Sequence, residues 1–497
     1  MNFYTKPNLF NNQQQTSYLR FKHTMMQLFF VMLWLLFFTM NLSAQISVHG
    51  TIKVHPNKHF LQYQDGTPFF YLGDTAWELF HRLNLFEARV YLTDRAWQGY
   101  NVIQAVILAE LDGLRTPNAN GDLPFTDELY TQPNEAYFKH IDDIIQLMDS
   151  LGMVAGLLPS WGDKINKAWG EGPVIFDNDQ KAEDYGRFLG NRYKNHKNII
   201  WILGGDRDYT GYESIIRAMA KGIAIGISGN EDYNQCLMTL HPNGGGSSAK
   251  WFHNDEWLDF NMQQNGHCYD VDVWKRIQQD YNLIPTKPIM DGEPLYEEHP
   301  VCFDKNQHGT SMDFQVRRFF YHEVFAGAFG HSYGCHAIWQ MWTPEREPIN
   351  GPIRPWYASI LLSGTYQMGY GRALMESRPF FTRIPDQSII IEGQQGEKTK
   401  LISATRDKYG SYAMIYSEQG EPFAANLLLL SGEKIIASWF DVRNGKSIKI
   451  GTFKKTPNQW FYPPSKGKGN DWVLVLDDAS QSFPLPETYV QSIIRNF

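Results

Sequence analysis

Two patterns alternate along most of this chain. Short apolar runs, unbroken by charge, are followed by longer stretches in which apolar residues return every three or four positions. The runs fall at residues 69–73, 102–108, 154–158, 199–203, 236–240, 260–263, 288–290 and 337–341. A continuous apolar run is the mark of a parallel strand covered on both faces. The stretches between them read as amphipathic helices. In residues 137–151, Phe138, Ile141, Ile144, Ile145 and Met148 share one face, and Gly152 is placed to end the helix. Residues 181–193 and 213–225 keep the same period, and 356–362 reads as the last helix. Eight strands alternating with helices predict an α/β fold, a (β/α)8 TIM barrel, rather than a doubly wound sheet. No Gly-x-Gly-x-x-Gly opens a helix after the first strand, which argues against a dinucleotide fold.

The flanks have other textures. Residues 46–63 alternate and run into Asp65-Gly66, a hairpin signal that predicts a small β lid at the bottom of the barrel. From about Phe380 short alternating runs return, at 412–416, 427–430, 435–440 and 472–476, with Asn444-Gly445 as a type I′ turn candidate. They predict a C-terminal antiparallel β-sandwich near the size of an immunoglobulin-like module. At the other end, residues 28–40 are apolar and uncharged, and Arg20, Lys22 and His23 precede them. Leu42-Ser43-Ala44 offers small residues for cleavage before Gln45. The run is too short to span a bilayer comfortably and suits a signal peptide. Its long basic prelude leaves Met1, Met25 and Met26 as alternative starts. The expected division is a leader at 1–44, a barrel with its N-terminal hairpin at 45–375, and a sandwich at 380–497. An exported protein is expected, periplasmic or at the cell surface, with no membrane span after cleavage.

Composition narrows the partners. The 497 residues carry 45 basic and 53 acidic side chains, a net charge of −8, which gives no support for nucleic acid or an anionic membrane. Aromatic residues make up 15%, with 15 Trp and 26 Tyr; most must build core, but sugar faces also stack on such rings. Cys236, Cys268, Cys302 and Cys335 show no Cys-x-x-Cys pair, so neither a zinc knuckle nor a staple is called for, and free buried thiols are expected.

The chemistry concentrates where apolar runs stop at a carboxylate. Residues past the C-terminal ends of barrel strands line the active site. Asp206 follows Gly204-Gly205 after the fourth run, and Glu293 follows Gly292 after the seventh. Two carboxylates on different strands are what glycoside hydrolysis requires: an acid for the leaving oxygen, and a nucleophile or a base for water. Any single strand-end Asp is more often an ion-pair partner or helix cap. Two such residues, each beside glycine, favour catalysis, with Asp208 and Asp291 as competitors. Asp74 and Trp77 end the first strand, where Asp74 could accept from a sugar hydroxyl or cap a helix at 77–83. Trp161, His241 and His267 end later strands, and Trp339 or Trp342 could form the pocket floor, completing a candidate substrate rim. His241 and His267 could bind metal with Asp259, but their spacing does not demand it; no metal or cofactor is expected. Residues 321–326 begin like a zincin helix, yet Ala326 stands where the second histidine belongs, and no Gly-x-Ser-x-Gly elbow has partners.

Three stretches carry a resemblance: 71–77 (YLGDTAW), 201–206 (WILGGD) and 290–294 (MDGEP). Together they resemble the apiosidase-like glycoside hydrolases (family 140), with similarity over roughly residues 46–372. The resemblance implies a TIM barrel followed by a β-sandwich and removal of terminal apiose from pectic side chains. It also implies an Asp–Glu catalytic pair mapping onto Asp206 and Glu293, in exported bacterial proteins. The C-terminal module resembles one labelled collagen-binding, though collagen is not taken as its ligand. The loops at 112–124 and 297–312 are where specificity would vary. The expectation is a glycosidase acting on a plant cell-wall glycan. A hydrolase of another pentofuranoside or plant glycan, a non-catalytic glycan-binding protein and a collagen-directed peptidase or adhesin are the alternatives. Linkage, anomeric outcome and oligomeric state are left open.

Overall fold

The computed structural model describes residues 49–393 and 400–494. The expected leader lies outside the described residues. Strands β1 (Ile52–Val54), β2 (Leu61–Tyr63) and β3 (Pro68–Phe69) form a small antiparallel sheet, with the predicted hairpin closed by Tyr63 N–H donating to Thr67 O at 2.8 Å. One residue separates β3 from the first barrel strand, so this sheet adjoins the N-terminal end of the barrel.

Eight parallel strands make the barrel wall: β4 (Tyr71–Thr75), β5 (Val102–Leu108), β6 (Val154–Ser160), β7 (Ile199–Gly204), β8 (Met238–His241), β9 (Asn261–Gln263), β10 (Ile289–Asp291) and β11 (Gly330–Tyr333). They pair in the order β8-β7-β6-β5-β4-β11-β10-β9. The remaining seam is bridged locally, where Thr239 Oγ1 donates to Phe260 O at 2.7 Å and Asp259 Oδ2 accepts from Met238 N at 2.8 Å. Apolar faces of the helices Glu135–Ser150, Asp179–Tyr193 and Glu213–Ser228 cover the outside as their periodicity predicts. Gly152 takes φ +73° just past the first of these, the left-handed stop read from the sequence.

The eighth strand departs from expectation. It is Gly330–Tyr333, and the apolar run at 337–341 is instead the helical turn His336–Trp339. A four- or five-residue apolar run does not distinguish strand from helix. The true strand is disguised by polar side chains that find buried partners. His331 Nδ1 lies 2.8 Å from Glu323 Oε2, Ser332 Oγ accepts from Gln104 Nε2 at 2.7 Å, and Tyr333 Oη donates to Glu297 Oε2 at 2.6 Å. The helix expected at 77–83 is only Leu79–Arg82.

Beyond the barrel lie β12 (Arg383–Pro385), β13 (Ile390–Gly393), β14 (Ile402–Asp407), β15 (Tyr412–Ser417), β16 (Phe423–Ala425), β17 (Lys434–Asp441), β18 (Lys446–Lys454), β19 (Gln459–Phe461) and β20 (Trp472–Asp478). They form a six-stranded antiparallel sheet, β12-β14-β15-β20-β17-β18, and a three-stranded one, β13-β16-β19. Their own core includes Ile402, Phe423, Trp439, Phe461 and Leu474. Residues Leu427–Leu429 are a 3-10 turn rather than a strand. Asn444-Gly445 belongs to a four-residue connection, because Asp441 pairs with Lys446. The helix Asp313–Phe325 joins the two parts: Arg317 makes a two-pronged pair with Asp471 (2.8 and 2.7 Å), and His322 meets Ser403 (2.9 Å) and Glu418 (3.0 Å). The zincin-like His322-Glu323 is thus spent on packing.

The cysteine expectation is corrected in part. Cys268 and Cys302 form a disulfide with Cα atoms 4.5 Å apart, while Cys236 and Cys335 are free. The bridged pair sits on two different barrel loops, 34 residues apart in sequence, a proximity that spacing alone does not reveal.

Candidate active site

Asp206 is placed by an unusual turn at the end of β7. Gly204 and Gly205 take φ +78° and +147°, and Asp206 itself takes φ +40°, a left-handed conformation that costs a non-glycine residue energy. A Cβ on Gly205 would fall 2.7 Å from the Trp161 ring, so this glycine makes room for the tryptophan rather than for substrate. Arg207 is fully buried beneath the turn, donating to Asp206 O (2.7 Å), Asn166 O (3.1 Å) and Trp169 O (2.6 Å). Gly244 N–H donates to Asp206 Oδ1 at 3.2 Å. Glu293, after β10, has its amide held at 3.0 Å by Asp291 Oδ1 inside the barrel wall.

A cavity of about 480 Å³ opens between them, within the range of small-molecule sites. Asp206, Glu293, Trp77, Trp161, His267 and Trp339 line it, so six of the eight residues singled out from the sequence converge there. His241 lies behind the wall, fully buried, between the Asp206 backbone and the Glu293 carboxylate. Its Nδ1 is 3.2 Å from the Asp206 amide and 3.0 Å from the Pro242 carbonyl. Its Nε2 faces Glu293 Oε2 at 3.1 Å, an ion-pair distance without hydrogen-bond alignment. His267 Nε2 meets Glu293 Oε1 at 3.2 Å.

Asp74 requires correction. Its carboxylate does not reach the cavity; it is fully buried, accepting from Tyr91 Oη at 2.6 Å and from Arg95 Nε on the helix Leu85–Trp97. Nor does it cap a helix, since Glu78 occupies the position before Leu79. Of the competitors, Asp208 pairs with Lys250 at 2.7 Å on the surface and Asp291 is internal. Trp342 donates to Arg346 O at 3.0 Å, outside the cavity lining.

The two carboxyls are driven apart electrostatically. Burial and the Glu293 charge push Asp206 up to about 6, against the opposing pull of His241 and Arg207. Burial alone would raise Glu293 as well, but the two histidines that meet its oxygens, His241 and His267, outweigh it and hold the group below the ordinary carboxylate range. A proton-bearing acid thus faces an ionised carboxylate, the division of labour that cleavage of an acetal needs.

Sequence reading missed several lining residues. Tyr296, His299 and Phe303 come from the segment that begins after β10. The Cys268–Cys302 bridge ties that segment to the loop carrying His267, and Cys302 N–H donates to His267 O at 2.8 Å. His267 stacks on His299 with centroids 4.2 Å apart. Trp169 comes from the loop after β6, its ring 4.0 Å from the Arg207 guanidinium. Glu110 follows β5. Among the described residues no cluster of His, Cys, Asp and Glu has the arrangement of a metal site, and no helix is long and apolar enough to cross a membrane.

Comparison with known proteins is consistent with this geometry. The family model "Apiosidase-like, catalytic domain" matches residues 55–382, and "Putative collagen-binding domain of a collagenase" matches 384–477. A solved structure titled glycoside hydrolase is 35% identical over 88% of this chain and 99% of its own, with a TM-score of 0.80. A glycoside hydrolase family 5 structure from Bacteroides vulgatus ATCC 8482 is 32% identical over 88% of this chain and 94% of its own, also with a TM-score of 0.80. A third structure from the same strain, at 14% identity and TM-score 0.62, shares the fold. No curated protein matches the sequence.

Proposed function

The chain belongs to the apiosidase-like family of glycoside hydrolases, and we propose that it removes a terminal sugar, apiose, from the side chains of plant pectic glycans. Asp206 is the general acid, giving its proton to the glycosidic oxygen. Glu293 is the ionised partner, attacking the anomeric carbon or activating the water that does. The observation that carries this reading is the pair of opposite protonation tendencies across one cavity. The aromatic rings of Trp77, Trp161 and Trp339 offer apolar faces to a sugar. A space of about 480 Å³ suits a terminal unit better than a long chain laid across the barrel. The apolar run at 28–40 supports export, which would bring the enzyme to its polymeric substrate.

The test is sugar release from pectic oligosaccharides, with the released sugar identified. Wild type should liberate apiose. Asp206→Asn and Glu293→Gln should each lose at least about a hundredfold in turnover while keeping a wild-type melting curve. Near-normal turnover in either would remove that residue from its role.

A further inference from the structure

Three carboxylates lie close to Glu110, and each has a protein partner. Glu78 accepts from the Leu111 amide at 3.1 Å and meets His81 Nδ1 at 2.7 Å. Asp163 pairs with the buried Lys164 at 2.8 Å. Asp206 accepts from Gly244. Glu110 differs. It lines the cavity at the end of β5, yet among the described residues its carboxyl takes no hydrogen bond and no ion pair. Glu110 is half-buried, so its carboxyl faces the open cavity with no protein group competing for it, placed to meet what enters there.

We propose that Glu110 is a specificity-determining residue that hydrogen-bonds a hydroxyl of the bound sugar on the Asp206 side of the cavity. This deepens the function proposed above and rests on it. The placement carries the argument: Glu110, Asp206, Trp161 and Glu293 border one space, so a sugar seated between the two catalytic carboxyls shares its cavity with the Glu110 carboxyl. Burial pushes the Glu110 carboxyl up to about 8, with help from the Asp206 and Glu78 charges and against the Arg207 charge. At neutral pH it therefore carries a proton, and a neutral carboxyl both donates to and accepts from a hydroxyl. It also adds no second negative charge beside Asp206. Sites built to bond a hydroxyl discriminate strongly against analogues that lack it.

The experiment compares Glu110→Ala and Glu110→Gln with wild type on the pectic oligosaccharide that wild type cleaves, at pH 6. A glutamine amide copies the donor and acceptor of a neutral carboxyl. The expected result is a KM at least about tenfold higher for Glu110→Ala, with kcat changed less than about threefold, and recovery of most of that loss in Glu110→Gln. An unchanged KM in Glu110→Ala would overturn the inference, as would a glutamine variant no better than alanine. If wild type releases no sugar from any pectic oligosaccharide, the function proposed above fails, and this inference fails with it by a separate and recognisable route.

Discussion

Asp206 and Asp74 show what a single residue reveals and hides. Both end an apolar run beside glycine, and only Asp206 faces the cavity. Successive side chains of a strand point to opposite sides. In a strand buried on both faces, polarity does not say which side is inward, so Asp74 could not be told from a sugar ligand by sequence. Structure turns it toward the helix Leu85–Trp97, where it neutralises Arg95. Asp74→Asn should therefore act on stability, lowering it by about 2–3 kcal/mol by removing the fully buried one of the two carboxylates that meet Arg95, Asp94 remaining at 3.0 Å, with KM unchanged in the folded fraction; thermal denaturation and kinetics together test this. For Asp206 the prediction is a pH profile. Its proton is lost as pH rises through about 6, so kcat/KM of the free enzyme should fall tenfold per unit above that point. The acidic limb, set by Glu293, should lie below the ordinary carboxylate range. A plateau extending to pH 8 would dismiss Asp206 as the acid.

Among elements, seven of the eight barrel strands were legible because a strand covered on both faces must be apolar. The eighth was not, because its polar residues His331, Ser332 and Tyr333 each find a separate buried partner, in Glu323, Gln104 and Glu297. The loops were legible only as places of variation. The segment flagged at 297–312 does border the cavity through His299 and Phe303, whereas the one at 112–124 contributes no lining residue. The disulfide fixes the first of these against the His267 loop. Replacing Cys268 and Cys302 together by serine should cost about 3 kcal/mol of stability and raise KM, since His267 and Phe303 would lose their common anchor. Equal KM values in the oxidised and serine forms would show that the anchor is dispensable for binding.

For the molecule as a whole, buried histidines and buried carboxyls pull the pH dependence of stability in opposite directions. Burial holds His331 and His336 down to about 4, and burial with the neighbouring charges of His267 and His336 holds His299 down to about 2. Unfolded imidazoles take up protons near 6.5, before these can, so the unfolded chain binds more protons between pH 6.5 and 4. Each such histidine thus lowers stability as pH falls, by about 1.4 kcal/mol per unit, while buried carboxyls with raised affinity for a proton, such as Glu110 and Asp206, act in the opposite direction. The Tm of His336→Gln, taken relative to wild type, should therefore rise as pH falls from 6.5 to 4; a constant difference would contradict the burial of that ring. The helix Asp313–Phe325 has a consequence of its own. One row of its side chains completes the catalytic cylinder, and another, through Arg317 and His322, grips the C-terminal sheets. A protein engineer grafting that C-terminal portion onto a different enzyme would have to bring this helix along, or else supply new cations for Asp471 and Glu418.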